Sequence, residues 1–122
     1  MRLLLLTADL MCSSQVVGLA RGLGLALVTC GSADKLTAAA AEGPSIVVLD
    51  LNAAGIDLAQ LVPQLRSAAH VPRGIVAFGP HVHESRLAAA REAHCDEVLA
   101  RGQFYAQGEQ ILRRYLAGLQ GP

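Results

Sequence analysis

The chain has 122 residues, 52% hydrophobic and 16% charged, with ten Lys plus Arg against ten Asp plus Glu. Residues 1–122 are enough for one buried core and too few for two, so a single domain is expected. The formal net charge of zero gives no reason to expect a nucleic acid or a membrane as partner, and it leaves homodimerisation open.

The first apolar run is Leu3 to Leu6, broken by Thr7 and Asp9. It is shorter than the roughly 7 to 15 residues of a secretory core, and no run approaches the roughly 18 of a membrane span. After it, Ser13 or Ser14 is expected to cap a helix carrying Val16, Leu19 and Ala20, with Gly22 and Gly24 as its stop. Cys12 lies near that helix start, with no base partner identifiable. A second strand is read over Leu25 to Val28, and Ser32 opens an Ala-rich helix that ends before Glu42-Gly43-Pro44.

Ile46 to Leu49 is the clearest strand, ending in the carboxylate of Asp50 and a turn. Asp57 is the expected cap of a helix with Leu58, Leu61, Val62 and Leu65 on one face and a kink at Pro63. Ile75 to Phe78 is the fourth strand, Glu84 to His94 the fourth helix and Val98 to Ala100 the fifth strand. The last helix carries Ile111, Leu112, Tyr115, Leu116 and Leu119. Strands alternating with helices predict a parallel sheet, and their unbroken apolar runs predict helices on both faces. Cys12, Cys30 and Cys95 are odd in number and lack C-x-x-C spacing, which argues against disulfides or structural zinc and suits a reducing cytoplasm.

Four strand ends then gather at one edge, with Asp9, Asp50, Gly79 and Arg101 following the first, third, fourth and fifth strands. In open α/β sheets the functional crevice lies outside those carboxyl ends. The stretch Asp50-Leu51-Asn52 through Asp57 to Arg66 resembles the receiver domain of bacterial response regulators, as do Ala88 to Ala93 and Val98 to Arg101. The resemblance covers the whole chain and implies a flavodoxin-like (CheY-like), doubly wound five-stranded parallel sheet in a three-layer α/β/α sandwich.

That resemblance makes Asp50 the phosphoacceptor and implies magnesium held weakly by Asp50, Asp9 and the Asn52 carbonyl, a hard-oxygen set. It puts Gly79 and Arg101 beside the phosphate. The family has an acidic pair after the first strand, where only Asp9 stands here. It has a hydroxyl residue where Gly79 stands, a lysine at Arg101, a proline at Gly102 and an aromatic residue at Val98. These departures imply a degenerate, or pseudo-, receiver.

Each residue also has a plainer reading. Asp50 can cap the following turn, Asp9 can serve the helix dipole, and Arg101 can be a solvated arginine or pair with Asp50. His81 and His83 are read as polar loop residues or a helix start, because a third metal ligand is missing. Gly22-Leu23-Gly24 ends a helix where a phosphate loop would open one.

The expected function is therefore a stand-alone, non-enzymatic signalling module that acts by protein–protein interaction, with a histidine kinase or a downstream effector as partner. Phosphoryl acceptance at Asp50 is weakened or lost in this reading. The alternative is a small flavodoxin-like ligand-binding protein or enzyme using the same crevice, weakened by the lack of a Gly-rich loop after the first strand.

Overall fold

A computed structural model of the protein describes residues 1–53 and 55–118. The strands are β1 (Arg2–Leu6), β2 (Ala26–Cys30), β3 (Ser45–Asp50), β4 (Ile75–Gly79) and β5 (Glu97–Ala100). The helices are α1 (Leu10–Leu23), α2 (Ala33–Ala40), α3 (Leu58–Arg66), α4 (Glu84–Glu92) and α5 (Arg101–Leu116). All strand pairs are parallel and the order is β2-β1-β3-β4-β5. This is the doubly wound, flavodoxin-like arrangement, with its switch point between β1 and β3.

Strand side chains alternate between faces, so each central strand feeds two cores. Leu4, Leu6, Val47, Leu49 and Ala77 pack with α2, α3 and α4 through Leu36, Leu61, Leu65 and Leu87. Leu3, Leu5, Ile46, Val48, Val76 and Phe78 pack with α1 and α5 through Val16, Phe104 and Leu112. Every residue of β3 is buried, which is why that strand is a continuous apolar run and not an alternating one. On the α5 side Phe78 stacks on Phe104, with centroids 4.4 Å apart and planes 3° from parallel.

The helix ends correct several sequence expectations. α1 is capped by Asp9, whose Oδ1 accepts the Met11 N–H at 2.9 Å, and not by Ser13 or Ser14, which lie inside the helix. The chain turns into the helix directly after Thr7, so the first residue able to cap is Asp9. Gly22 is helical and does not stop α1; Gly24 does, at φ 71, with Leu25 N–H donating to the Ala20 carbonyl.

α4 ends at Glu92, not His94. His94 takes the left-handed position at φ 65, where the paired bonds His94 N–H to Arg91 and Cys95 N–H to Ala90 close the helix. β2 runs on to Cys30, and β3 includes Asp50 as its last residue. α3 continues through Pro63, and Leu119, expected on the last helix, lies outside the described residues. No helix among the described residues is long and apolar enough to cross a membrane.

Candidate functional site

The β1–β3 register pairs Leu6 with Leu49, so the next residues, Thr7 and Asp50, come level at the carboxyl edge. Both are buried, at 3% and 2% exposure. Thr7 Oγ1 donates to Asp50 Oδ2 at 2.7 Å and accepts the Asp9 N–H at 3.1 Å. Asp50 Oδ1 accepts the Asn52 N–H at 3.0 Å. A buried carboxylate costs free energy unless its oxygens find donors, and here both do.

Asp9 is brought to the same edge, but its carboxylate faces outward and holds the N-terminus of α1. Gly79 ends β4, level with Ala100, and a Cβ built there would lie 3.2 Å from the Leu51 Cβ. Arg101 is the first residue of α5, and among the described residues no ion pair joins it to Asp50. Its charge acts instead on Tyr105, one turn along. His83 sits at the start of α4, as one sequence reading had it, without a side-chain cap bond.

Cys12 is 2% exposed and sits beside Thr7 and Tyr105. Burial pushes its thiol up, and the Asp50 charge adds to the rise against the Thr7 hydroxyl. Burial is the largest of these effects, and it works against an activated thiol. Tyr105 is pushed up to about 12 by burial and by the neighbouring Cys12 and Asp50.

Sequence reasoning missed two members of this site, Thr7 and Arg86. Arg86, on α4, donates to the Leu51 carbonyl at 3.3 Å and to Asn52 Oδ1 at 2.9 Å. A hydrogen-bonded chain therefore runs from β1 through Asp50 and Asn52 to α4. Thr7 was signalled by being the residue after Leu6 when the ends of β1 and β3 are aligned; Arg86 carried no local signal. Beyond Asn52 a cleft of about 850 Å³ opens between α3 and α4, lined by Ile56, Leu58, Pro63 and Ala89 among others, and Asp50 is not part of its wall.

No protein-family model matches the sequence, and no curated protein matches it. Solved structures do. The receiver domain of a sensor histidine kinase from Pseudomonas aeruginosa, crystallised with magnesium in its active-site cleft, superposes with a TM-score of 0.79 at 17% identity, over 95% of this chain and 97% of that one. The fold is that of response-regulator receiver domains. A response regulator receiver protein from Burkholderia phymatum superposes on this receiver fold at 0.72 with 18% identity, over 94% of each chain. Chemotaxis response regulator CheY4 of Vibrio cholerae does so at 0.71 with 12% identity, over 93% of this chain and 97% of its own.

Magnesium demands hard oxygen ligands in near-octahedral array and gives up water reluctantly. Of the donors expected for it in this receiver fold, Asp50 already accepts two hydrogen bonds and Asp9 caps a helix. Level with Asp50 stands a neutral hydroxyl that donates to it, where a second carboxylate would attract a cation more strongly. Among the described residues no three His, Cys, Asp or Glu side chains gather as a metal site. Each Asp50 oxygen keeps a lone pair beyond the bond it accepts, so Asp50, Asp9 and the Asn52 carbonyl would make a sparse, weak set for the ion.

Proposed function

We propose that the protein is a receiver-fold signalling module that acts by binding a partner protein, and that phosphoryl acceptance at Asp50 is weakened or lost. The observation that carries this reading is the Asp50 carboxylate, 2% exposed, with Thr7 on one oxygen and Asn52 on the other. A nucleophilic carboxylate attacks through an oxygen lone pair, and charge-assisted hydrogen bonds to both oxygens, together with burial, lower the nucleophilicity of the lone pairs that remain.

Gly79 supports the same reading, since it has no hydroxyl with which to hold a phosphoryl oxygen. Receiver folds generally serve signalling and not catalysis, and a histidine kinase or an effector is the class of partner this one would meet. The remaining route to output is then a surface presented without chemistry at Asp50. Asp50, Asp9 and the Asn52 carbonyl stay the candidate phosphoryl and cation positions, with Gly79 and Arg101 beside them.

Intact-mass analysis after incubation with acetyl phosphate and magnesium, beside Asp50→Asn, tests the proposal. The expected result is a single unmodified mass for each protein. A phosphoryl adduct on the parent alone would establish a working phosphoacceptor and overturn the reading.

A further inference from the structure

Thr7, Asp50, Asn52 and Arg86 lie at the seams between β1, β3 and α4 and form one connected polar network. A bound cation at such an edge would satisfy the aspartate's oxygens and tie down the loop that follows. Both tasks are done here by the chain itself. The Thr7 hydroxyl and the Asn52 N–H satisfy the carboxylate. The Arg86 guanidinium brings a permanent positive charge to the loop, through the Leu51 carbonyl and Asn52 Oδ1.

We infer that Thr7 and Arg86 are an internal substitute for a divalent cation, clamping the β3–α3 loop to α4 so that the α4 side is presented in one conformation whether or not metal is present. The inference rests on the functional reading above and adds the residues that hold the state. Thr7 acts through Asp50 and Arg86 acts through Asn52, so both are positioning residues. Linked groups of this kind bias one another reciprocally, and a disturbance at Thr7 must be felt at Arg86 and the reverse. The two ends belong to elements that share no direct bond in the network, so the signal has to pass through Asp50 and Asn52.

The test is an amide spectrum of the 122-residue chain, with magnesium as the probe. Millimolar magnesium leaves the Asn52, Ala53 and Arg86 amides of the parent in place. Thr7→Val, which removes the donor and keeps the shape, moves the Asn52 and Arg86 amides in metal-free buffer. Thr7→Ser, which keeps the hydroxyl, restores them. Arg86→Gln, at an exposed position, moves the Asn52 and Thr7 amides and keeps the test decisive if Thr7→Val does not fold.

Saturable movement of the parent's Asn52 amide with magnesium overturns the inference. So do Thr7→Val changes confined to the immediate neighbours of Thr7, or Arg86→Gln changes confined to α4. Loss of coupling without any phosphoryl adduct overturns the clamp alone. An adduct with the coupling intact overturns the functional reading and supports the clamp.

Discussion

Thr7 and Asp50, 43 residues apart in the chain, meet at 2.7 Å where β1 and β3 end together. Removing the hydroxyl leaves the buried carboxylate with one donor fewer, and hydrogen bonds to charged groups contribute about 1.5 to 3 kcal/mol. Thr7→Val should lower the unfolding free energy by that order in a urea titration, and Thr7→Ser should lose much less. An unchanged midpoint for Thr7→Val would mean that solvent reaches Asp50 and replaces the hydroxyl.

Asp96 and Ile75 hold the opposite edge of the sheet. Asp96 Oδ2 accepts the Ile75 N–H at 2.8 Å, its own N–H donates to the Ile75 carbonyl at 2.8 Å, and Arg66 lies 3.3 Å from the same carboxylate. Asp96→Ala orphans a donor on a residue with 0% exposure. The expected cost is about 1 to 3 kcal/mol, with faster hydrogen exchange at the Ile75 amide. Asp96→Asn keeps an accepting oxygen and should recover part of the loss. Unaltered exchange at Ile75 would refute this account.

Gly79 has Leu51 pressed against it. A side chain there would bring its Cβ to 3.2 Å from the Leu51 Cβ, an atom that cannot swing away from its own backbone. Gly79→Thr is therefore expected to destabilise by about 1 to 3 kcal/mol through overpacking. Thermal unfolding of the variant checks this, and a stability equal to the parent's would show that the β3–α3 loop yields without cost.

Alkaline pH should weaken the fold. Burial and the Glu97 carboxylate, which accepts the Tyr115 hydroxyl at 3.1 Å, push that phenol up to about 12, and burial pushes the Cys95 thiol up to about 11. Both groups hold their protons more tightly folded than unfolded. Their contribution is whole below the ordinary values near 9 for the thiol and 10 for the phenol, and it is lost as pH rises through about 11 and then about 12. Melting temperature should fall across that window, and Tyr115→Phe should flatten the upper part of the decline. A parent-like slope in Tyr115→Phe would exclude the phenol as a cause.

The order of strands and helices was legible in the sequence because hydrophobic runs and their spacing are local properties: Ile46 to Leu49 reads as a buried strand before any partner is known. Asp50 was legible for the same reason, since a carboxylate closing such a run has to lie at a sheet edge. Cap identities were less so. Asp9, Ser13 and Ser14 all have capping side chains, and only the point where the chain leaves β1 decides among them.

The contents of the site were settled by tertiary structure alone. Asp9, the sequence candidate for a partner to Asp50, turns to its own helix, while Thr7 takes the carboxylate because the β1–β3 register sets it opposite. Arg86 reaches Asn52 because α4 packs beside β4 and thereby overhangs the end of β3, a placement no local pattern encodes. Hydrophobic periodicity specifies which residues are buried; which hydroxyl meets which carboxylate follows from pairings between distant segments, and those exist only once the sheet has formed.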